Sequence, residues 1–300
     1  MKFLWGVLLP TVFRITKNLS ILKLSIVIVN YNVTQLLINC LNSIQQYVQN
    51  IDCEVIVIDN QSPDISWKDL INEFPSVKFI ENSANEGFAK ANNKAAKIAV
   101  GEYILLLNPD TEFESNCMTE ILDFADKQAN FGCLGVRFHD LKGNFLPECK
   151  RSVPDVFNSF EKLFSPFQSK KTSKKSYYRN DLSETEIAEL EVITGAFLLM
   201  KKDLYLKIGG LDEAYFMYGE DIDLCYTILR KGYQNWYYGK YSILHIKGES
   251  TVKDRKYLEN FYGAMHIFID KYYKKQKPIQ YQFLKLGLRV RHFIARLQLK

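Results

Sequence analysis

Three groups of polar side chains in this 300-residue sequence stand out because their types and positions suit chemistry on phosphates. Asp110 lies in a short Asn-Pro-Asp-Thr turn that ends the apolar run 103 to 107, and His245 ends a second apolar run. Positions 220 to 223 carry three carboxylates. A hard divalent ion can bind carboxylate and phosphate oxygens together with one imidazole nitrogen. Asp110 and His245 therefore form a candidate two-ligand metal site that a diphosphate would complete.

Each group also has an ordinary structural explanation. Asn-Pro-Asp-Thr fits a turn with a local cap, and a lone histidine at a strand end fits a packed residue. Acidic residues at the start of a helix are favoured by the helix dipole. Capping accounts for one or two of Glu220, Asp221 and Asp223. Three carboxylates beside an aromatic run indicate the wall of a pocket.

The elements that would position these groups alternate between strand and helix. The runs 24 to 30 and 53 to 59 are almost continuously apolar, which is typical of parallel strands buried on both faces. Polar residues follow each run, so Asn30, Asp59, Asn85 and Asp110 should line the carboxyl edge of one sheet, where α/β folds bind ligands. Further strands are predicted at 77 to 80, 103 to 107, 132 to 138, 144 to 149 and 191 to 200, and helices at 33 to 48, 67 to 74, 87 to 99, 117 to 127, 202 to 208 and from 220 through Arg230.

The glycine loops that usually bind phosphates are missing from the sequence. No G-x-G-x-x-G follows the first strand and no G-x-x-x-x-G-K-[ST] occurs, which excludes the dinucleotide fingerprint and the P-loop. A metal ion on Asp110 is the substitute that the sequence offers.

Charge is unevenly distributed along the chain. The net charge is +5, but residues 251 to 300 hold 12 Lys and Arg against 3 Asp and Glu, so this tail carries +9 and the first 250 residues carry −4. The last segment, Phe283 to Leu297, mixes apolar and basic residues. It fits either a helix packed on the domain or an interfacial helix on anionic lipid. Nucleic-acid binding by the tail is the least favoured reading.

Three further segments bear on organisation and location. The apolar run Phe3 to Phe13 is about half the length of a spanning helix and lacks a cleavage site, which favours a packed or membrane-touching extension over a signal peptide. The lysine-rich segment 165 to 181 fits a solvated loop or a lid over an anionic substrate. Six scattered cysteines without metal-site spacing favour a reducing, cytoplasmic location.

Six motifs in order resemble family 2 inverting glycosyltransferases, specifically rhamnosyltransferase-like members with the GT-A fold. The resemblance covers about residues 24 to 250. It implies an α/β protein with a Rossmann-like nucleotide-binding half, a mixed central sheet, an apolar extension (1 to 23) and a basic helical C-terminal extension (251 to 300). The motifs are Val-Asn-Tyr-Asn (29 to 32), Asp-Asn-Gln-Ser (59 to 62), Asn-Glu-Gly-Phe-Ala-Lys-Ala-Asn-Asn (85 to 93), Asn-Pro-Asp (108 to 110), Gly-Glu-Asp-Ile-Asp-Leu (219 to 224) and His-Ile-Lys-Gly-Glu-Ser (245 to 250).

The resemblance also implies a role for each matching residue. Asp110 and His245 would hold Mg²⁺ or Mn²⁺, Asp221 would be the general base, and Glu220 and Asp223 would position the base or the acceptor. Asn108 stands where many relatives have Asp. The nucleotide-sugar would be bound by Val29, Tyr31, Asp59, Asn60, Gly87, Asn92, Asn93, Asn108 and Asp110.

The implied activity is inverting transfer from a dTDP- or UDP-sugar to a glycan or lipid-linked acceptor in surface polysaccharide synthesis. Such an enzyme would be cytoplasmic and peripheral at the inner face of the membrane. The alternative is a catalytically silent, membrane-associated assembly subunit with the same fold, which the neutral Asn108 and the basic tail motivate. A sugar nucleotidyltransferase is disfavoured because its glycine-rich N-terminal loop is missing.

Overall fold

The computed structural model describes residues 22–154, 177–246 and 254–299. Nearly all of the N-terminal extension, most of the lysine-rich segment and residues 247–250 of the last motif lie outside the described residues. The predictions for those segments remain predictions.

Nine strands of the described chain form one mixed sheet in the order β3-β2-β1-β4-β8-β6-β9-β5, with β7 paired to β9. The first four strands are parallel, as is the β6–β9 pair, and the other pairs are antiparallel. The strands are β1 (Leu24–Asn30), β2 (Cys53–Asp59), β3 (Val77–Glu81), β4 (Tyr103–Leu107), β5 (Thr111–Phe113), β6 (Phe131–His139), β7 (Ile187–Leu190), β8 (Phe197–Lys201) and β9 (Gln234–His245).

The parallel half of the sheet forms because its strands are apolar on both faces. All residues of β1 and β4 are buried, and β1 lies between β2 and β4. The chain runs outward from β1 to β2 and β3 and then returns to place β4 on the other side of β1. This reversal creates a crevice at the carboxyl ends of β1 and β4, where the polar turns begin.

Eight α-helices of the described chain pack on this sheet or on one another. In α3 the small residues Ala89, Ala91, Ala95 and Ala96 are buried, which lets the helix approach β1 and β2 closely. The helices are α1 (Thr34–Tyr47), α2 (Leu70–Glu73, after a 3₁₀ turn at Ser66–Asp69), α3 (Phe88–Ile98), α4 (Met118–Asp126), α5 (Lys202–Ile208), α6 (Glu220–Arg230), α7 (Arg255–Tyr272) and α8 (Pro278–Gln298).

The strand predicted at 144 to 149 is wrong. Phe145 makes one isolated bridge with His139, and the chain then forms a 3₁₀ turn at Pro147–Cys149. Proline has no N–H for a strand ladder, and its fixed φ suits the first position of a helical turn. Of this segment only Cys149 is buried.

The strand predicted at 191 to 200 is wrong in its first half, because β8 begins only at Phe197. Two backbone N–H groups before β8 donate to side chains and not to a neighbouring strand. The N–H of Ile193 donates to Cys225 Sγ, and the N–H of Gly195 donates to Asp221 Oδ2. The short strand β5 was not predicted. It exists because it pairs with β9, which is distant in sequence.

The basic C-terminal extension packs on the domain through α7 and α8. Leu258 and Phe268 of α7 and Leu284 and Leu288 of α8 belong to the same buried cluster as the sheet. The sequence left two interpretations open for this extension: packing on the domain or contact with anionic lipid. Packing on the domain describes one face of α8. None of the described helices is long and apolar enough to cross a membrane.

Candidate active site

A cavity of about 590 Å³ opens at the carboxyl ends of β1, β2 and β4. It brings together side chains predicted to bind the donor and side chains predicted to act on the acceptor. The predicted residues that line it are Val29, Tyr31, Asn60, Gly87, Asn108, Asp110, Glu220 and Asp221.

On the proposed nucleotide side, Asn60 is fixed by a hydrogen-bond network. Its Nδ2 donates to the carbonyl of Gly87 at 3.1 Å, and its Oδ1 accepts from Asn82 at 2.9 Å. Gly87 has φ +83°, and a Cβ at this position would lie 2.4 Å from the carbonyl oxygen of Phe216. Only glycine fits this close approach without a shift of the backbone. Tyr31 is partly exposed at the mouth of the cavity.

Asp59 lies behind this wall rather than in it. Its Oδ1 accepts from Asn30 Nδ2 at 2.8 Å and from the hydroxyl of Ser62, while its Oδ2 accepts from the backbone N–H of Ser62. The side chain is buried. In this arrangement Asp59 stabilises the turn after β2 and thereby positions Asn60.

Asn92 and Asn93 also lie outside the cavity wall. Asn92 Nδ2 donates to the carbonyl of Phe88 one turn earlier in α3. Asn93 Nδ2 donates to the carbonyl of Leu211 at 2.8 Å, and its Oδ1 accepts from Tyr205 at 2.6 Å. The bond of Asn92 is internal to α3, whereas the buried bonds of Asn93 join α3 to its surroundings.

The candidate metal site is created by the antiparallel pairing of β5 and β9. This pairing places Thr111 opposite His245, so that Asp110 and His245 become neighbours. His245 Nε2 lies 3.4 Å from Asp110 Oδ1, and both side chains are largely buried. The N–H of Ile246 donates to the carbonyl of Asp110 at 2.8 Å and fixes the turn.

The two residues fit a divalent ion as a partial ligand set. A separation of 3.4 Å is short enough for one ion with bonds of about 2.1 Å to contact both atoms. The other ring nitrogen of His245, Nδ1, is buried and has no hydrogen-bond partner among the described residues. Within 22–154, 177–246 and 254–299 no cluster of three or more His, Cys, Asp or Glu could hold a metal. A bound diphosphate would supply further oxygen ligands.

Asp221 is positioned at the start of α6 and lines the same cavity as the metal-site turn. Gly219 precedes the helix with φ +86°. Asp221 Oδ2 accepts from Arg151 Nη2 at 2.6 Å and from the N–H of Gly195 at 3.1 Å, while Oδ1 accepts from the N–H of Ile222 at 2.8 Å. These bonds orient the carboxylate.

Arg151 pairs with the candidate base Asp221 and was not predicted from the sequence. Its side chain is mostly buried, and it also donates to the carbonyl of Ile193 at 3.2 Å. Burial is the largest single effect and lowers the pKa of Arg151, but the charges of and hydrogen bonds with Asp221 and Tyr177 together raise this pKa above its usual range. No local motif marks Arg151 in the sequence, because its partner lies 70 positions away.

Glu220 has a different environment from its neighbour Asp221. It is buried, and its Oε2 has no hydrogen-bond partner among the described residues. Burial, followed by the charge of Asp221, raises the pKa of Glu220 to about 8. At neutral pH the two adjacent residues therefore differ in charge, with Glu220 protonated.

Asp223 points away from the cavity. It accepts from Tyr215 at 3.2 Å and pairs with Lys271 of α7 at 2.9 Å. Lys271 also pairs with Asp212. The structure thus separates the three carboxylates of the 220 to 223 cluster, and the third anchors α7.

The C-terminal helices complete the cavity wall, which the sequence analysis did not anticipate. Phe261, Tyr262 and Met265 of α7 and Leu288 and Arg291 of α8 line the same space as Asp110 and Asp221. The only signal in the sequence was the mixed apolar and basic pattern of the tail, which says nothing about which face meets the cavity.

With this geometry established, comparison with known proteins identifies the family. The profile of glycosyl transferase family 2 matches residues 25–206, more than half of the chain. The chain belongs to glycosyl transferase family 2. The resemblance inferred from the six motifs is thereby confirmed, including its similarity to rhamnosyltransferases.

Family 2 relatives of known activity are moderately similar to the chain. It is 25% identical over 227 residues to N-acetylglucosaminyl-diphospho-decaprenol L-rhamnosyltransferase of Mycobacterium tuberculosis, covering 72% of this chain and 74% of the relative. It is 24% identical over 215 residues to rhamnosyltransferase WbbL of Escherichia coli, covering 67% and 78%. The poly(ribitol-phosphate) beta-glucosyltransferase of Bacillus spizizenii is 28% identical over 260 residues, covering 83% of this chain but 36% of that longer protein.

Solved structures confirm the predicted GT-A fold. Mannosyltransferase PcManGT from Pyrobaculum calidifontis, in complex with GDP-Man and Mn²⁺, superposes with a TM-score of 0.58 at 14% identity, covering 92% of this chain and 73% of that one. S. aureus TarS 1-349 in complex with UDP-GlcNAc gives 0.56 at 16% identity, covering 90% and 72%. At these identities the likeness concerns the fold alone.

Proposed function

We propose that this family 2 glycosyltransferase moves a sugar from a nucleotide-diphosphate sugar to a hydroxyl of a lipid-linked or glycan acceptor, with inversion at the anomeric carbon. The single observation that carries the proposal is one cavity with a candidate metal turn at Asp110 and His245 and an oriented carboxylate at Asp221. Displacement at an anomeric carbon needs a base for the acceptor and stabilisation of the departing diphosphate.

In this mechanism Asp221 takes the proton of the acceptor hydroxyl as the hydroxyl oxygen attacks the anomeric carbon. Arg151 and the N–H groups of Gly195 and Ile222 hold the carboxylate in place. The bond from the anomeric carbon to the diphosphate oxygen breaks, and the diphosphate leaves with that electron pair. Mg²⁺ or Mn²⁺ bound by Asp110 and His245 would supply positive charge to the leaving group. Direct displacement inverts the anomeric configuration.

The donor would lie along the carboxyl edge of β1, β2 and β4. Val29, Tyr31 and Asn60 line the part of the cavity beside the ends of β1 and β2, where base and ribose would bind, and Asn108 and Asp110 follow β4. The donor proposed here, a dTDP- or UDP-sugar, follows from the motif resemblance, and the names of the rhamnosyltransferase relatives give rhamnose as the sugar that those proteins transfer. The same names favour a lipid-linked acceptor and a role in cell-envelope polysaccharide synthesis.

The proposed transfer is tested by incubating the protein with a panel of dTDP- and UDP-sugars, Mn²⁺ and a polyprenyl-diphosphate saccharide. One donor should give a glycosylated product whose anomeric configuration, read by proton NMR, is opposite to that of the donor. Product with the donor's own configuration would contradict inversion. Metal-independent nucleotide binding without transfer would favour the silent assembly subunit.

We also propose that the outer face of α8 holds the enzyme on anionic lipid at the inner face of the cell membrane. Its residues 279, 283, 286, 290, 293 and 297 are apolar and 42 to 75% exposed, and they form one stripe opposite the packed face. Residues 271 to 300 contain nine Lys and Arg and no Asp or Glu. A second copy would bring like charges together, whereas anionic lipid complements both the stripe and its basic flank.

Vesicle co-sedimentation tests this contact. We expect binding to phosphatidylglycerol vesicles, little binding to phosphatidylcholine vesicles, and loss of binding in Phe283→Ser/Phe293→Ser. Val100→Ser is the matched control, because Val100 is an exposed apolar residue elsewhere on the surface. Self-association of the wild type in analytical ultracentrifugation, abolished by the double substitution, would instead assign the stripe to a dimer.

A further inference from the structure

Arg291 of α8 is a cation with unused hydrogen-bonding capacity at the cavity wall. It lines the cavity together with Asp110, Glu220 and Asp221. Its Nε atom is buried and has no hydrogen-bond partner among residues 22–154, 177–246 and 254–299. The carboxylate at Asp221 is already paired with Arg151. Arg291 is therefore not required to neutralise the proposed base.

A buried guanidinium donor without a partner is costly, since the lost hydration is not replaced. Each such group in a native structure needs an explanation, and an ion or ligand that supplies the partner is one. Arginine presents five N–H donors in a planar fork, which matches the oxygens of a phosphate and forms two parallel hydrogen bonds. A sugar hydroxyl would satisfy one donor, whereas a phosphate satisfies both charge and geometry.

The packing of α7 and α8 holds Arg291 in a defined place. The ring of His292, the next residue, stacks on Tyr262 of α7 with ring centres 4.7 Å apart and an angle of 11°. Leu288, one turn earlier on α8, is buried and also lines the cavity. Arg291 is thus presented by a packed helix pair and not by a loop, as a binding residue requires.

The surroundings of Arg291 distinguish it from the donor side of the cavity. Its neighbours in the wall from α7 and α8 are Phe261, Tyr262, Met265 and Leu288, an apolar and aromatic set. The polar turns after β1, β2 and β4 contribute other residues of the same wall, among them Asn60 and Asp110. Arg291 is the charged residue that the described helices α7 and α8 add to their apolar part of the wall, which suits a phosphate attached to a lipid.

We infer that Arg291 binds a phosphate group of a substrate, so that the C-terminal helices form part of the substrate site. The inference rests on the proposed function, which supplies two sources for this phosphate: the diphosphate of the donor and the diphosphate of a lipid-linked acceptor. The chemistry is common to both, and the apolar wall around Arg291 favours the acceptor.

The test is calorimetric titration of the full chain with farnesyl diphosphate, farnesol and UDP, the last with Mn²⁺. The variants are Arg291→Gln, which removes the charge, and Arg291→Lys, which restores it without the planar fork. Arg289→Gln is the matched control, because Arg289 is an exposed arginine on the same helix. Thermal unfolding of each variant checks that it is folded.

We expect Arg291→Gln to weaken farnesyl diphosphate binding roughly tenfold to hundredfold, the effect of one lost charged hydrogen-bond pair. Arg291→Lys should recover part of the affinity, and Arg289→Gln should match the wild type. Farnesol should bind all four proteins alike. A loss confined to UDP would assign the same phosphate contact to the donor.

Equal affinities of wild type and Arg291→Gln for both diphosphates would overturn the inference, as would a wild type that binds neither. These binding readouts do not depend on sugar transfer. If Arg291→Gln loses diphosphate affinity while the wild type transfers no sugar from any donor, the inference stands and the proposed function fails.

Discussion

The two candidate catalytic carboxylates line one cavity but have different side-chain partners. Asp110 lies 3.4 Å from a ring nitrogen of His245, at the end of a strand. Asp221 lies 2.6 Å from Arg151, at the start of a helix. A histidine is largely neutral at physiological pH and can share a metal ion with a carboxylate, whereas an arginine is always charged.

This difference indicates that the surroundings of Asp110 and of Asp221 have different roles in the reaction. The Asp110 side is suited to an external cation and hence to the donor's diphosphate. The Asp221 side contains its own cation, which leaves a rigid, oriented carboxylate to meet the acceptor hydroxyl. The following substitutions test whether Asp110 and Asp221 have separate roles.

Loss of the metal-side carboxylate should have the largest effect. We expect Asp110→Ala to reduce transfer by about 10³-fold or more, because the departing diphosphate would lose its counter-ion. The effect should appear in kcat/KM and in nucleotide affinity together. Asp52→Ala is the control, since Asp52 is an exposed aspartate just before β2. Near-normal transfer by Asp110→Ala would remove the metal site from the mechanism.

Asp221→Asn should reduce kcat by roughly 10² to 10⁴-fold, the range for loss of a general base. Nucleotide affinity should stay near that of the wild type, because Asp221 belongs to the other side of the cavity. Rapid-quench turnover and calorimetry measure these two quantities. An equal loss of nucleotide affinity would show that the two sides are not separate.

Arg151→Met tests the internal cation of the Asp221 side. Breaking a buried ion pair typically costs about 3 to 5 kcal/mol of unfolding free energy. Transfer should also fall, because the carboxylate of Asp221 loses the side-chain contact that orients it. Arg151→Lys should partly restore both. In Arg179→Met, which breaks the more exposed pair with Asp181, the loss should be within about 1 kcal/mol.

Glu220 provides a smaller, pH-dependent test. Its pKa is raised from 4.5 to about 8 in the folded state, so the folded protein binds more protons than the unfolded chain between these values. This group therefore lowers the free energy of unfolding as pH rises through that window, by an amount on the order of a few kcal/mol. Glu220→Gln should lack this decline in urea denaturation, whereas Glu73→Gln, at an exposed site, should keep it. Parallel pH curves for wild type and Glu220→Gln would contradict the assignment.

The donor half of the fold could be predicted because its signals are local. The strands β1, β2 and β4 are short apolar runs that end in polar residues, and each polar turn falls where the sheet's carboxyl edge must be. Asp110 was found in this way, whereas Asn60 followed from the motif resemblance. Asp59 was assigned to ligand binding by its motif, yet its carboxylate is occupied by Asn30 and Ser62, a pairing that no local pattern reveals.

The acceptor half could not be predicted to the same extent because its site depends on distant contacts. Arg151 reaches Asp221 only through the irregular backbone before β8, a stretch whose apolar residues suggested a continuous strand. Arg291 meets the cavity only because α8 packs on α7. In the sequence both arginines are simply basic residues, and only the structure shows that they line the cavity.

The central claim is that the Asp110 side binds the nucleotide through a metal while the Asp221 side does not take part in that binding. Titration with dTDP or UDP, with and without Mn²⁺, tests this most directly in the wild type, Asp110→Asn and Asp221→Asn. We predict metal-dependent binding in the wild type, its loss in Asp110→Asn and its retention in Asp221→Asn. Binding that ignores both the metal and Asp110→Asn, or that disappears in Asp221→Asn, would contradict the account.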